Sequence, residues 1–376
     1  MNFPLTIVLM IGCIITAGLF TAGCITQAPN AMQSEAKDTL TIVDMMNRTV
    51  TVDTDPQRII GIGAGSLRMI VYLQAEDQVV GVDMREQSAT NASTPGMPAG
   101  IDRPYNIAHP ELAERPFIGA ISGDPELIVI QKPDVVFVTF LAGKDADALQ
   151  EKSGVPVVAL VSGDLGKNRQ AFYGSLRTMA QVLNKEQRAD EVIAYINETL
   201  ADLQKRTKDI PAEKKSLVYV GGIAYNGAHG FLSTDPAYAP LAMVNGNNVA
   251  AGAGTGGQII IDKEKLLSWN PDVIFIDEAS YSLVSEDLKD PVYQSLDAVK
   301  GGRVYGVMPY NWYANNYDTV LADAYYIGKI LYPEQFADID PEQKADEIYT
   351  MLDGKPVYTE MAGIFGGFIP FSKLSL

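Results

Sequence analysis

Two stretches of this sequence decide its fold: DPELIVIQKPDVVFV at residues 124–138 and DKEKLLSWNPDVIFI at residues 262–276. They align at a constant offset of 138 positions (262 minus 124), each with Asp two residues before Glu, Pro-Asp seven residues after that Glu, and an apolar run at the end. Asp is a good N-cap, Glu in the first turn faces the positive end of the helix dipole, and Pro ends a helix. Each stretch therefore predicts a short helix followed by a buried strand, and the duplication predicts two similar lobes.

Outward from this repeat, short β-branched runs alternate with helical stretches. The pattern predicts an α/β fold of two lobes, each with a central, mainly parallel sheet, joined by one long backbone helix. An opening hairpin is predicted in residues 40–52 around Asn47-Arg48. Further buried strands are predicted at Arg58–Ile62, Val79–Val82, Val135–Phe140, Pro156–Val161, Ser216–Val220, Val273–Ile276 and Arg303–Val307.

The apolar spacing of residues 170–208 predicts the long helical region, with a break or kink at Asn184-Lys185. Helices are also predicted at residues 318–331 and 341–352. The resulting division of the folded part is an N-terminal lobe at 39–169, a bridging helix at 170–210 and a C-terminal lobe at 211–376.

The first 23 residues carry no charged side chain and are mostly apolar from Leu5 to Phe20. Such a segment is typical of an export signal, and the small residues before Cys24 resemble a lipobox, in which Cys24 becomes the lipidated first residue. The n-region has no Lys or Arg, and Thr21 stands where the motif prefers Leu. An uncleaved anchor helix therefore remains the alternative. We predict that residues 24–38 form a lipid-tethered linker. Lipidation of Cys24 and an uncleaved anchor both predict a location outside the cytoplasm, at the outer face of the cytoplasmic membrane.

Composition excludes several classes of protein. The 376 residues are 47% apolar, and 29 Lys+Arg against 46 Asp+Glu give a net charge of −17. This predicts a globular chain, and an acidic chain without a basic patch is a poor nucleic-acid binder. Two His and two Cys are too few for a multi-histidine metal site or for most nucleophile–base arrangements, so we predict neither a metal site nor a cofactor nor catalysis. A carboxylate-based hydrolase is the enzymatic alternative.

Ligand contacts are sought in the loops at the carboxyl ends of strands, where α/β proteins bind their ligands. The stretch from Tyr310 to Tyr317 combines four aromatic residues with three Asn, which suits a large chelate or ring. Arg85, Arg103 and His109 are further possible contacts, in the long segment 84–116. The predicted ligand-binding residues are Ser66, Arg68, Tyr105, Phe140, Tyr225, Asn226, His229, Tyr310, Trp312, Tyr313 and Asn316.

Each of these residues also has a structural interpretation. The aromatic side chains could pack in the core, and the arginines could form salt bridges. His229 could give an axial nitrogen to a chelated metal or only make a hydrogen bond within its loop. The glycines at 61, 63 and 65 form an incomplete dinucleotide fingerprint, which makes nucleotide binding a minor alternative.

The chain resembles the substrate-binding proteins of ABC importers for iron chelates and cobalamin, the class III or helical-backbone type. The resemblance covers nearly all of the chain from Leu40. It rests on TIVDMMNRTVTVDTDPQRIIGIG (41–63), VVGVD (79–83), the two repeat units and VKGGRVYGV (299–307). YVGGIAYNGAHGF (219–231) and the segment from Pro309 to Tyr349 are similar to the branch described as iron-type importers.

This resemblance implies a function and partners. It implies capture of a metal chelate, such as a ferric siderophore, haem or a corrinoid, in the cleft between the lobes, followed by delivery to an ABC permease and its ATPase. It also implies that Glu126 and Glu264, at matching positions of the repeat, dock onto arginines of the permease; the alternative is that both only cap helices. An oxyanion such as molybdate is the alternative cargo. We expect a monomer, attached to the membrane through its lipid.

Overall fold

The computed structural model describes residues 38–87 and 102–373, in which strands and helices alternate. The strands are β1 (Thr39–Val43), β2 (Thr49–Asp53), β3 (Ile59–Ile62), β4 (Val79–Val82), β5 (Val135–Thr139), β6 (Val157–Leu160), β7 (Leu217–Gly221), β8 (Ser233–Thr234), β9 (Asn247–Asn248), β10 (Ile259–Ile260), β11 (Val273–Asp277) and β12 (Val304–Val307). The helices are α1 (Ser66–Tyr72), α2 (Pro104–Ala108), α3 (Pro125–Ile130), α4 (Gly143–Ser153), α5 (Arg169–Leu183), α6 (Glu186–Thr207), α7 (Ala239–Met243), α8 (Lys263–Trp269), α9 (Tyr281–Asp287), α10 (Asp297–Lys300), α11 (Tyr317–Leu331), α12 (Pro341–Asp353) and α13 (Tyr358–Phe365).

Two four-stranded parallel sheets organise the described residues. The first sheet has the strand order β4-β3-β5-β6 and the second has the order β12-β11-β7-β9. Strands β5 and β11, the last parts of the two repeat units, lie inside their sheets and are buried over all five residues. Continuous apolar strands of this kind are expected where helices cover both faces of a sheet. The predicted α/β class with parallel sheets is confirmed.

The predicted strands and closing helices lie within one residue of their observed bounds, and β1 and β2 form the predicted antiparallel hairpin. The two-residue strands β8, β9 and β10 and a further set of helices were not predicted: α1, α2, α4, α7, α9, α10 and α13. A two-residue strand offers no alternation of apolar and polar residues from which it could be recognised.

The two repeat helices begin differently. The Oδ1 of Asp124 accepts hydrogen bonds from the N–H groups of Glu126 at 2.9 Å and Leu127 at 3.2 Å, which confirms the predicted cap. Asp262 stands at the equivalent position before α8, but its side chain makes no capping hydrogen bond, so the cap is absent there. Instead, Lys263 Nζ donates to Asp290 at 2.7 Å and ties the first turn of α8 to a neighbouring segment.

The break at Asn184 turns the chain back on itself. Asn184 is left-handed, with φ 55°, and separates α5 from α6. Tyr173 donates to Asn197 Oδ1 at 3.0 Å, although 24 residues of continuous helix would span about 36 Å. The two helices therefore pack side by side, and α6 is the long helix that leads to the second sheet.

Helix α6 contacts structure on the sides of both sheets. Near its start, Arg188 Nε donates to the carbonyl oxygen of Tyr72, in α1 beside the first sheet, at 2.9 Å. Near its end, Arg206 forms a salt bridge at 2.6 Å with Asp338, in the segment between α11 and α12. In the described part of the chain, no helix has both the length and the apolar character that crossing a membrane requires. The predicted leader 1–23, Cys24 and all of the linker except Asp38 lie outside the described residues.

Candidate ligand-binding site

A cavity of about 790 Å³ lies where strands of both sheets end. The loop 164–169, after β6 of the first sheet, forms one part of its wall. Segments at the ends of β7, β11 and β12 of the second sheet contribute Tyr225, Asp277 and Tyr310, and α6 contributes Leu200. Because ligands of α/β proteins bind at the carboxyl edge of parallel strands, this cavity is the candidate site.

Two carboxylates make part of the cavity wall acidic. The Oδ2 of Asp277 accepts from the N–H of Ala224 at 3.0 Å, and its Oδ1 accepts from the N–H of Ala279 at 3.0 Å. Burial raises the pKa of Asp277 to about 6, against these two hydrogen bonds, which lower it. Burial also raises the pKa of Asp235, which accepts from the N–H of Ala237 at 2.8 Å. Near neutral pH, Asp277 can therefore exchange a proton with little free-energy cost.

Two tyrosines form an aromatic part of the same wall. The ring centroids of Tyr238 and Tyr310 lie 5.4 Å apart with the planes tilted by 51°. Burial raises the pKa of both phenols well above the usual value. Both therefore stay protonated and present apolar faces with a hydroxyl group each. Nearby, Asn311 and Asn315 add amide groups to the lining. The combination of flat apolar surfaces and amides suits a large, oxygen-rich ligand.

The basic side chains of the cavity come from the loop after β6. Asp164 Oδ1 accepts from the N–H groups of Gly166 at 2.6 Å and Asn168 at 2.9 Å, which fixes the turn of this loop. Lys167 and Arg169 follow in the turn and both line the cavity. The Nε of Arg169 is buried and has no hydrogen-bond partner within the described residues. The side of the first sheet therefore contributes two basic side chains and the carboxylate of Asp164, whereas the side of the second contributes Asp235 and Asp277 and, among residues 38–87 and 102–373, no basic side chain.

Of the predicted ligand-binding residues, Tyr225 and Tyr310 line the cavity. Tyr225 is 54% exposed, and its carbonyl oxygen lies 2.8 Å from His229 Nε2. His229 thus holds its own loop through a hydrogen bond. Asn226, between them in this loop, is left-handed with φ 51° and does not line the cavity.

Phe140 directly follows β5 and is 68% exposed, with φ 60°. A positive φ is uncommon for an aromatic residue and marks a backbone position that its surroundings hold in place. Phe140 does not line the cavity. Its ligand contact remains a prediction.

Ser66, Arg68 and Tyr105 are fully buried and have partners within the protein. Ser66 donates to the carbonyl oxygen of Phe137 at 3.2 Å, and Tyr105 donates to Glu86 at 2.8 Å. None of the three lines the cavity. Sequence reasoning placed them at a strand end and in a loop but could not show that their polar atoms turn inward.

Tyr105 belongs to a buried polar cluster around Glu86. Arg103 pairs with Glu86 at 2.7 Å, and both side chains are 1% exposed. A buried carboxylate needs such a partner, because an unpaired buried charge is costly. The salt bridge expected for Arg103 as the alternative to ligand contact is thus present, but it is internal rather than on the surface. His109 likewise contacts the protein itself, with Nε2 2.8 Å from the carbonyl oxygen of Asp353.

The glycines after β3 serve close approach within the chain. Gly63 has φ 84°, and a Cβ added to it would lie 2.7 Å from the carbonyl oxygen of Thr139. Gly65 has φ 89°, and a Cβ there would lie 3.0 Å from Ser162 Oγ and 3.2 Å from an Arg68 guanidinium nitrogen. The sequence pattern suggested close approach of a ligand, but the neighbours in the structure are backbone and side chains of the protein.

Arg68, in α1, contacts the loop that carries Trp312, Tyr313 and Asn316. Arg68 Nε donates to Asn316 Oδ1 at 3.0 Å, and Arg68 Nη2 donates to the carbonyl oxygen of Tyr313 at 3.0 Å. Trp312 is partly exposed, and its carbonyl oxygen accepts from Asn316 Nδ2 at 3.2 Å. None of the four side chains lines the cavity, although the loop that carries the last three does. Their ligand contacts remain a prediction.

Sequence reasoning missed several cavity residues, although a signal for them existed. Asp277 ends the strand VIFID, and the loop 164–169 begins four residues after the end of β6, so both satisfy the strand-end rule that selected Tyr225. Asp235 directly follows β8, and Tyr238 and Ala239 lie at the start of α7. Neither β8 nor α7 was predicted, so the place of these residues in the wall was not either.

The two repeat glutamates are exposed. Glu126 lies in the first turn of α3 and Glu264 in the first turn of α8. Equivalent elements of the two sheets therefore present both carboxylates to solvent. This exposure is what the predicted docking role requires.

Relatives of this chain share most of its length. The molybdate-binding protein MolA of Haemophilus influenzae is 27% identical over 82% of this chain and 89% of its own. The ABC transporter substrate-binding lipoprotein YvrC of Bacillus subtilis is 23% identical, over 79% of this chain and 88% of its own. The Fe(3+)-citrate-binding protein YfmC of Bacillus subtilis is 25% identical, over 80% of this chain and 88% of its own.

Structure and family comparisons agree with these relatives. The structure of MolA bound to molybdate superposes with a TM-score of 0.64, at 24% identity, and covers 84% of this chain and 98% of its own. The model of the periplasmic binding protein family matches residues 60–310. This range includes both sheets and most of the cavity. The chain belongs to the periplasmic binding protein family, whose members bind substrates for transport.

Proposed function

We propose that this protein binds a metal chelate in the cavity and delivers it to an ABC importer. The observation that carries the proposal is the position of the cavity, at the carboxyl ends of strands from both sheets in a periplasmic binding protein. A volume of about 790 Å³ is in the range of pockets that enclose a small organic molecule. The proposed cargo is a ferric siderophore, haem or a corrinoid.

The lining favours a chelate over a bare ion. Tyr225, Tyr238 and Tyr310 offer flat surfaces, and Asn311 and Asn315 offer amides. These groups suit the rings and oxygen atoms of a chelator, and aromatic side chains lose little conformational entropy when they become fixed. The name of the relative YfmC, an Fe(3+)-citrate-binding protein, points in the same direction.

A second candidate is an oxyanion such as molybdate. It is favoured by the similarity to MolA and by Lys167 and Arg169, which can offset negative charge. Against it stands the volume of the cavity, which is far larger than one tetrahedral oxyanion needs.

Equilibrium dialysis against ferric citrate, haemin, cyanocobalamin and sodium molybdate separates the two candidates. We expect saturable binding of one of the three chelates, and weakening of that binding by at least tenfold in Tyr225→Ala, because a large aromatic contact is lost. Tyr195→Ala removes a partly exposed tyrosine on α6 that does not line this cavity, and serves as the control. Binding of molybdate alone would establish the second candidate, and binding of none of the four probes would contradict this choice of cargo.

The proposal includes a place in the cell and a set of partners. The leader and Cys24 support a lipid anchor at the outer face of the cytoplasmic membrane, as does the name of the relative YvrC, a substrate-binding lipoprotein. The partners are then the permease and the ATPase of an ABC importer. We further propose that the protein acts as a monomer, with one lobe around each sheet.

We propose that Glu126 and Glu264, the two glutamates of the repeat, dock the protein onto the permease. Glu126 and Glu264 are exposed at equivalent helix starts, where a carboxylate can form a charge-assisted pair with an arginine of the permease. One such pair for each sheet orients the cavity toward the permease. The ligand contacts of Ser66, Tyr105, Phe140, Asn226, His229, Trp312 and Asn316 belong to the same proposal and require the ligand-bound protein to test them.

A further inference from the structure

Residues 310–316, which we term the strap, form a closed loop after β12. The N–H of Asn316 donates to the carbonyl oxygen of Tyr310 at 2.8 Å. Asn316 Nδ2 also donates to that oxygen, at 3.1 Å, and to the carbonyl oxygen of Trp312 at 3.2 Å. Asn311 and Asn315 pair as an antiparallel bridge across the loop. The strap is therefore a compact unit that can be placed as a whole.

One side of the strap belongs to the cavity. Tyr310, Asn311 and Asn315 all line it, and the ring of Tyr310 packs against Tyr238 of the same wall. Any displacement of the strap would therefore move an aromatic ring and two amides of the candidate ligand site.

The other side of the strap is held by residues that follow β4, precede α2 or lie in α1. Tyr313 donates its hydroxyl proton to Asp83 Oδ2 at 2.7 Å, and the same oxygen accepts from the N–H of Gly63, after β3, at 2.9 Å. The guanidinium of Arg103 lies 5.1 Å from the centre of the Tyr313 ring. Asp83 directly follows β4, so the strap of the second sheet is tied to the strand ends of the first.

Arg68 provides the second tie, through Asn316. It donates to Asn316 Oδ1 at 3.0 Å and to the carbonyl oxygen of Tyr313 at 3.0 Å, while Asn316 itself donates to Tyr310. A continuous path of hydrogen bonds thus runs from α1 to a residue of the cavity wall. The buried guanidinium makes these contacts without touching the cavity.

The backbone of the strap is strained where these ties act. Tyr313 has φ 53° and Ala314 has φ 62°, both in the left-handed region that residues with a Cβ rarely adopt. Such a conformation is unfavourable for these residues and persists only where surrounding contacts over-determine it. The contacts of Tyr313 with Asp83 and Arg68 supply that restraint.

We propose that Arg68 and Tyr313 are positioning residues for ligand binding: they hold the strap against the first sheet and so set the place of Tyr310, Asn311 and Asn315 in the cavity wall. This inference rests on the proposed function for its effect on ligand affinity, but the restraint of the strap does not depend on any ligand. The two parts are therefore tested separately.

The ligand-free test is hydrogen exchange of the strap amides. Tyr313→Phe keeps the ring and removes only the hydroxyl that contacts Asp83. We expect the N–H of Asn316 to exchange at least tenfold faster in this variant, and in Arg68→Met. Tyr219→Phe is the matched control, because it removes a buried hydroxyl that donates at 2.8 Å to the carbonyl oxygen of Phe231, away from the strap. Unchanged exchange at Asn316 in Tyr313→Phe, or an equal rise in Tyr219→Phe, overturns the proposal.

The ligand test uses ferric citrate, haemin, cyanocobalamin and sodium molybdate as probes. Whichever probe the parent binds, we expect Tyr313→Phe to lower its affinity by about tenfold and Tyr219→Phe to leave it unchanged. Faster exchange with unchanged affinity overturns the positioning role. If the parent binds none of the four probes, the proposed cargo is contradicted, while hydrogen exchange still decides whether Tyr313 restrains the strap.

Discussion

Asp134 and Asp272, 138 positions apart, perform the same task in the two sheets. Asp134 Oδ2 accepts from the N–H of Arg58 at 3.0 Å, one residue before β3, and Asp272 Oδ2 accepts from the N–H of Leu217, the first residue of β7, at 2.7 Å. In return, the N–H of each Asp donates to the carbonyl oxygen of the same partner. The Pro-Asp step of the repeat therefore fixes the register at which each central strand begins, and it places the preceding helix and its glutamate equivalently beside each sheet.

That equivalence leads to a prediction for Glu126 and Glu264. The double variant Glu126→Ala, Glu264→Ala should reduce uptake by tenfold or more while leaving ligand affinity unchanged, because hydrogen bonds to charged groups contribute about 1.5 to 3 kcal/mol each. A helix-start carboxylate contributes only about 0.3 to 1 kcal/mol to folding, so the variant should fold. Uptake of labelled ligand into whole cells is the measurement.

The matched control replaces two other exposed glutamates in first helical turns. Glu186→Ala and Glu342→Ala remove equivalent charges from α6 and α12, away from the repeat. Normal transport by the Glu126, Glu264 variant would return both residues to a capping role, and so would an equal loss of transport in the control.

The raised pKa of Asp277 should make the stability of the protein depend on pH. The pKa of Asp277 is about 6 in the folded protein, against an ordinary value of 3.8, so the folded state binds the proton more tightly than the unfolded state. The free energy of unfolding should therefore fall as the pH rises from about 3 to 7, by about 3 kcal/mol from this group. Asp323 and Glu278, whose pKa values burial also raises, act in the same direction.

Denaturant unfolding at a series of pH values isolates the share of Asp277. Asp277→Asn replaces one of the two accepting oxygens with an NH2 group and so loses some stability, but it cannot titrate, and its free energy of unfolding should fall less between pH 3 and 7 than that of the parent. Parallel profiles for the variant and the parent would show that Asp277 titrates normally in the folded protein.

Ligand binding should quench the fluorescence of Trp312. Trp312 lies in the strap between Asn311, which lines the cavity, and Tyr313, whereas Trp269 lies in α8 with its ring centroid 6.4 Å from that of Tyr219. Ligand-dependent quenching should persist in Trp269→Phe and vanish in Trp312→Phe. If Trp312 stacks on the ligand, Trp312→Ala should weaken binding by about 2 kcal/mol, roughly thirtyfold. Quenching that vanishes only in Trp269→Phe, with parental affinity in Trp312→Ala, would assign Trp312 to packing.

The sequence predicted the fold well because the deciding signals are local. Apolar runs such as VVFV and VIFI identify buried strands from neighbouring residues alone, and Asn184 marked the break between α5 and α6. The closing helices α11 and α12 were equally visible from their apolar spacing.

The site was less predictable, because its members meet only through tertiary packing. Tyr225 and Tyr310 were found through the strand-end rule, but the same rule also selected Ser66 and Arg68, whose polar atoms turn into the protein. Whether a polar side chain after a strand faces a cavity or a neighbouring loop depends on the other strand ends, which no local pattern records.

We expect Cys24 to attach the protein to the membrane through a lipid. The parent protein should fractionate with membranes and carry acyl groups on a first residue Cys24, and Cys24→Ser should be released or mislocalised. Cys13→Ser changes the other cysteine of the leader and serves as the control. Intact-mass analysis that finds residues 1–23 retained without acyl groups would favour the uncleaved anchor.

The most direct test of the account is the identity and place of the ligand that co-purifies with the protein from its native host. Ala242→Trp fills the cavity from an exposed position on α7, and Ala201→Trp introduces the same side chain at an exposed position of α6 outside the cavity. Native mass spectrometry and absorbance should show a bound chelate in the parent and in Ala201→Trp, and none in Ala242→Trp. A parent without any bound chelate, or an Ala242→Trp variant that retains as much of it as the parent, would contradict the assignment of this cavity as the ligand site.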